Sequence, residues 1–223
     1  MNYIIKPAVS LFIAAAITVA ALSFVYNKTY ESIEKQKNKA QEEAMKELLP
    51  KANGFKEIEM KKTGSINAVY EGYYETNRLE EREMIGYILK LSPSGYSGEI
   101  DFLAGISVEE KKITGIRILR HSETPGLGAL AVKEAFYGQF AGHTLSPLRV
   151  TKSSPGKDEI QAITSATITS RAITNAVNEA IEWCLTTENQ SAPEDVWEHD
   201  YIDEIDRRFD GVWIDIGFQG SVE

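Results

Sequence analysis

The chain has 223 residues, enough for a membrane anchor and one medium-sized domain with its own core. With 33 acidic against 24 basic side chains its net charge is −9, which argues against a nucleic-acid surface with its basic stripe. Its single cysteine, Cys184, excludes an internal disulfide framework and any cysteine-held zinc or iron–sulfur cluster within this chain.

Pro7 to Tyr26 runs for about 20 residues without a charge. At about 1.5 Å per residue this length matches a helix crossing a ~30 Å hydrocarbon core. A cleaved signal peptide has an apolar region of only about 7–15 residues, so residues 1–27 are expected to form a retained transmembrane anchor. Lys28, Lys35, Lys37 and Lys39 follow the segment, and Lys6 with the amino terminus precedes it. Counting lysines alone would place the large domain in the cytoplasm. Asn27 to Leu49 reads as a polar helix continuing out of the membrane, with Glu31 and Lys35 at the favourable i,i+4 spacing. Pro50 and Gly54 end it, and residues 28–50 read as a solvated spacer.

Residues 51–187 are expected to form a single α+β domain with a mainly antiparallel sheet and flanking helices. Ile66–Tyr74, Ile85–Leu91, Gly98–Ile106 and Ile113–Leu119 are β-branched and aromatic, separated by turn residues such as Ser92-Pro93-Ser94-Gly95. Short connections favour an antiparallel meander. Ala129–Phe140 reads as a helix and Leu148–Val150 as a short strand. Ser170–Leu185 is the clearest helix: Ile173, Ala176, Val177, Ala180, Ile181, Cys184 and Leu185 repeat at three- and four-residue steps. Cys184 lies on that stripe and reads as a buried structural thiol. Residues 188–223 form an acidic, aromatic tail with Trp197, Tyr201, Phe209, Trp213 and Phe218. It reads either as a docking segment for a partner subunit, since aromatic residues are favoured at interfaces, or as an edge strand added by Val212–Phe218.

No metal-ligand spacing, Walker A loop, paired-glycine dinucleotide fingerprint or Gly-x-Ser-x-Gly elbow occurs in the sequence. Two segments remain. Thr164-Ser165-Ala166-Thr167-Ile168-Thr169-Ser170 stands directly before the amphipathic helix. Its hydroxyls can cap the helix by accepting the orphan backbone N–H groups. Alternatively, those N–H groups and the positive dipole end can hold a phosphate, to which a hydroxyl could itself become esterified. His121-Ser122-Glu123-Thr124-Pro125-Gly126-Leu127-Gly128, after the Ile113–Leu119 strand, is a tight loop that exposes backbone N–H groups, or simply a connector.

Together these segments resemble the FMN-binding subunits of ion-translocating respiratory complexes. These are the G subunit of the Rnf complex and the C subunit of the sodium-translocating NADH:quinone reductase. Their flavinylation signature, Asp-x-x-Ser/Thr-Gly/Ser-Ala-Thr, falls on Gln161-Ala162-Ile163-Thr164-Ser165-Ala166-Thr167, with Gln161 in the place of the aspartate. Glu123-Thr124-Pro125-Gly126-Leu127-Gly128 matches their flavin-site loop, and Gly95-Tyr96-Ser97-Gly98 their aromatic-glycine turn. The resemblance covers the anchor and roughly residues 50–187, not the tail.

The resemblance implies an FMN (flavin mononucleotide) bonded through its phosphate to Thr167, delivered from FAD by a separate flavin transferase. Thr164, Ser165 and Ala166 would surround the phosphate, Glu123, Thr124, Leu127 and Gly128 would line the flavin, and Tyr96 would contact it. The implied role is electron transfer within a membrane-bound ferredoxin:NAD oxidoreductase that moves sodium or protons, beside the other Rnf subunits. The flavin domain is expected on the extracytoplasmic side, where lost FMN is not readily replaced; this opposes the lysine count. The compact chain favours the Rnf subunit over the quinone-reductase subunit. A third reading, a non-redox membrane-anchored adaptor, takes the hydroxyl-rich turn as a cap and nothing more.

Overall fold

The β-branched runs become four adjacent strands of one sheet. A computed structural model of the chain describes residues 2–75 and 82–191. In chain order it contains helix α1 (Asn2–Leu48), strands β1 (Gly54–Ile58), β2 (Ile66–Glu75), β3 (Arg82–Leu91), β4 (Ile100–Ser107) and β5 (Lys112–His121), the short helix α2 (Glu134–Tyr137), strands β6 (Arg149–Thr151) and β7 (Glu159–Gln161), and helix α3 (Thr167–Ser191). Strands β1 to β5 form an antiparallel meander in sequence order. The four expected strands are its last four members. Strand β1 adds an edge, pairing from Gly54 opposite Tyr73 to Ile58 opposite Val69.

Successive side chains on a strand point to opposite faces, and the two strands β3 and β4 bury both. Tyr87, Leu89 and Leu91 of β3 and Phe102, Ala104 and Ile106 of β4 join the main core, whereas Ile88 and Leu103 join a second cluster. The continuous apolar character of these strands follows from being covered on two sides. Helix α3 supplies the main cover. Ile173, Ala176, Val177, Ala180, Ile181 and Cys184 are each at most 1% exposed, as the apolar stripe requires, and Leu185 packs at its margin.

The second cluster limits the reading of residues 28–50 as solvated spacer at its end: residues 28–43 are almost all exposed, and those from Ala44 to Leu49 contribute to the core. Ala44, Met45 and Leu48 from the last turn of α1, with Leu49 and Ala52, are buried against Ile88 and Leu103. Close seating depends on glycine in the sheet below: a methyl group on Gly105 would lie 3.0 Å from Leu48 Cβ, and one on Gly72 would lie 2.8 Å from Leu49 Cδ1. Arg117 of β5 donates to the Glu47 carboxylate, and its guanidinium carbon lies 4.3 Å from the centre of the Tyr137 ring. The chain divides into two units, residues 1–43 and 44–223. In the first, α1 is long and apolar enough to cross a membrane, and none of its apolar stretch is buried.

The expected helix Ala129–Phe140 is instead three short pieces: a 3-10 turn at Gly128–Val132, α2, and a second 3-10 turn at Gly138–Phe140. Lys133, extended at φ −88° and ψ 142°, makes the first break. On one straight helix Ala131 and Phe136 would lie roughly 140° apart at about 100° per residue. Breaking the segment turns Ala131, Phe136 and Phe140 all into the core. Strand β6, close to the expected Leu148–Val150, pairs in parallel with β7, which ends at Gln161 and so delivers the chain to the turn before α3. The tail beyond residue 191 lies outside the described residues, as do both expectations for it.

Candidate functional site

Helix α3 begins at Thr167, which puts Ala166 at the cap position, where it offers no side-chain oxygen. Capping is therefore not what the hydroxyl-rich turn supplies. Among the described residues the Thr164, Ser165 and Thr167 hydroxyls make no hydrogen bond. Ser170, one turn inside the helix and fully buried, closes the turn instead. Its Oγ accepts the Ile163 N–H at 3.0 Å and donates to the Ala166 carbonyl at 3.0 Å, while the Ala166 N–H donates to the Ile163 carbonyl at 2.9 Å. Ser165 is held left-handed at φ 63°, which accounts for the Gly/Ser alternative at this position of the signature. The first N–H groups of this 25-residue helix have no intrahelical acceptor, and they stand beside the free Thr167 hydroxyl.

Opposite this turn stands the loop after β5. Leu127 N–H donates to the Thr124 carbonyl at 3.1 Å across Pro125-Gly126, and Gly126 takes φ +78°, the position that favours glycine in a type II turn. The loop carries Glu123, which is only 5% exposed. Its Oε1 accepts the backbone N–H groups of Tyr96 at 2.8 Å and Ser97 at 2.9 Å, and its Oε2 accepts the Thr169 hydroxyl at 2.7 Å. One carboxylate thus joins the β3–β4 turn, the loop after β5 and the first turn of α3.

Between these three segments lies a cleft of about 370 Å³, lined by Tyr96, Glu123, Thr124, Leu127, Gly128, Ser165, Ala166, Thr167, Ile168 and Thr169. That volume is in the range of small-molecule and cofactor sites. The structure brings together eight of the nine residues singled out from sequence; Thr164 is exposed and outside the lining. Ile168 and Thr169 are additions. Thr169 could have been found by extending the helix stripe one turn back from Ile173, because a hydroxyl at a buried position needs a partner. Glu123 is the single charged residue in the lining, and no group of three or more potential metal ligands occurs among the described residues.

The family model of the FMN-binding domain matches residues 95–182, a span that takes in every residue of the cleft. Fold and site together therefore define an FMN-binding domain. A second model, the RnfG N-terminal region, matches residues 1–48, the extent of α1. The chain is 32% identical to the G subunit of the ion-translocating oxidoreductase complex of Methanosarcina acetivorans, over 83% of this chain and 96% of that one. It is 36% identical to the G subunit of the Na(+)-translocating ferredoxin:NAD(+) oxidoreductase complex of Acetobacterium woodii, over 80% and 90%. The proton-translocating counterpart of Clostridium ljungdahlii is 32% identical over 79% and 89%. The chain belongs to the family of G subunits of ion-translocating oxidoreductase complexes.

Proposed function

We propose that this protein is an electron-transfer subunit of an Rnf-type ferredoxin:NAD oxidoreductase, carrying FMN esterified to Thr167. The observation that carries the reading is the unengaged Thr167 hydroxyl at the first position of α3, in the cleft lining and beside the helix's first N–H groups. The residues fit the group. Backbone donors and the helix dipole suit a phosphodiester with one negative charge, and Tyr96, Leu127 and Ile168 give the cleft an apolar side suited to a flavin ring.

Attachment needs FAD and a flavin transferase. The Thr167 oxygen bonds to the phosphorus on the flavin side of FAD, the anhydride bond breaks, and AMP leaves with the hydroxyl proton. The bound flavin then supplies the redox chemistry, and the protein positions and tunes it. Thr167 tethers the phosphate, Ser165 and Ala166 allow its close approach, and Glu123, Thr124, Leu127 and Gly128 shape the flavin side. Thr164, exposed in the turn before α3, is free to hydrogen-bond the phosphate region. The partners are the other Rnf subunits. A domain outside the cytoplasm needs a tether most, so the FMN domain is assigned to the extracytoplasmic side of the membrane.

Co-expression with a flavin transferase tests the assignment. The protein band should fluoresce after denaturing electrophoresis and its mass should rise by one FMN less one water. Thr167→Ala should abolish both. Undiminished covalent flavin in that variant would remove Thr167 as the acceptor.

A further inference from the structure

Glu123 does more than shape the cleft wall. It is a buried carboxylate with no ion-pair partner among the described residues, held by three donors from two segments far apart in sequence. Space for it is reserved on both sides. A methyl group on Gly128 would come within 2.1 Å of its Oε2, and one on Gly95 within 2.4 Å of its Oε1. A hydrogen-bonded carboxylate in this position is therefore a built feature. A neutral apolar side chain would leave the Tyr96 and Ser97 N–H groups without an acceptor. It is also the sole charge in the cleft lining, and no lysine or arginine lines the cleft to offset it.

We infer that Glu123 is a positioning residue that also sets the reduction potential: it fixes the β3–β4 turn to the start of α3, and its negative charge lowers the potential of the bound flavin. Two-electron reduction with uptake of one proton adds one negative charge to the flavin. A fixed carboxylate in a partly desolvated wall opposes that addition, because its field is weakly screened there. The inference rests on the reading of the cleft as an FMN site, and it does not depend on the tether to Thr167.

The test uses the full chain in detergent, co-expressed with a flavin transferase and titrated with dithionite against a reference dye. The potential is read per bound flavin, whatever fraction of chains is loaded. Glu123→Gln removes the charge and can keep all three bonds: the amide oxygen still accepts from Tyr96 and Ser97, and its NH₂ donates to Thr169, whose hydroxyl turns from donor to acceptor. Its potential should rise by about 30 mV or more, a tenfold change for a two-electron couple. Thr169→Val weakens the clamp and leaves the charge, so its potential should not rise. A Glu123→Gln potential equal to the native one, or an equal rise in both variants, would overturn the inference. If Glu123→Gln does not fold, Thr169→Val still decides: a rise there overturns it, and a value at or below native supports it. Absence of flavin from the native chain would instead overturn the reading of the cleft, and this inference with it.

Discussion

The side-chain amide of Asn178 grips the backbone of Leu148 in both directions, accepting its N–H at 2.8 Å and donating to its carbonyl at 3.0 Å. Asn178 is 2% exposed and Leu148 3%, so water does not compete for these groups. The contact ties the entry to β6 onto the middle of α3, and β6 in turn carries β7 and the turn that presents Thr167. Asn178→Ala would leave a buried N–H and a buried carbonyl without partners. A loss of about 2–4 kcal/mol is expected, since each orphaned group costs roughly 1–3 kcal/mol. Urea unfolding measures it, and a change below about 0.5 kcal/mol would show that the two groups find other partners.

Ser165 tests whether the turn before α3 is strained. At φ 63° a serine pays roughly 1 kcal/mol that glycine does not. Against this, glycine loses more freedom on folding. Ser165→Gly is expected to change stability by no more than about 1 kcal/mol, in the stabilising direction, and to retain covalent flavin. Ser165→Val, β-branched at a left-handed position, should destabilise and reduce flavin loading. Equal loading in the valine variant would mean that the turn's backbone is not what presents Thr167.

Glu182 gives the domain a pH-dependent component. Burial on α3, and next the neighbouring Glu179 carboxylate, hold its carboxyl above the usual carboxylate range. Because the folded value is raised, the protonated form is favoured by folding. Its contribution is fully present below the unfolded value near 4.5 and is lost as pH rises through the folded value. Glu182→Gln should therefore raise the thermal midpoint at pH 7 to 8 and leave it almost unchanged near pH 4. The gain is small, about 0.5 kcal/mol or less, because the group is only half-buried and solvent screens it. Equal midpoint changes at the two pH values would rule out the charge as the cause.

Strands β2 to β5 and helix α3 were legible in the sequence because each carries a local signal, β-branched and aromatic runs bounded by turn residues for the strands and a three- to four-residue apolar period for the helix. The elements that were not legible take their structure from partners distant in sequence. Strand β7, three residues long, exists through its pairing with β6, and β1, with Phe55 and Ile58 as its only large apolar residues, exists as an edge on β2. Helical propensity in the alanine-rich stretch from Ala129 pointed to one helix, and the demand to bury Ala131, Phe136 and Phe140 together broke it. At the cleft, Pro125-Gly126 and the hydroxyl-rich turn could be read locally. The link from Glu123 to Thr169 spans 46 residues and had no local signal beyond a hydroxyl on an apolar stripe.

Met45, Leu48 and Leu49 stand at i, i+3 and i+4, a signal that the end of α1 belongs to the folded domain. Each is at most 5% exposed, against Ile88 and Leu103 on the sheet. A soluble fragment that begins at Ala44 keeps this cluster and the pair between Glu47 and Arg117. One that begins at Lys51 loses both and uncovers the sheet face. Full burial of such side chains contributes roughly 1.5–3 kcal/mol each, so the shorter fragment should lose about 5 kcal/mol or more. That is comparable with the whole stability of a typical domain. The fragment from Ala44 is expected to unfold in one cooperative transition and the fragment from Lys51 to aggregate or melt without cooperativity. Matching thermal midpoints for the two fragments would show that the end of α1 rests on the sheet without stabilising it.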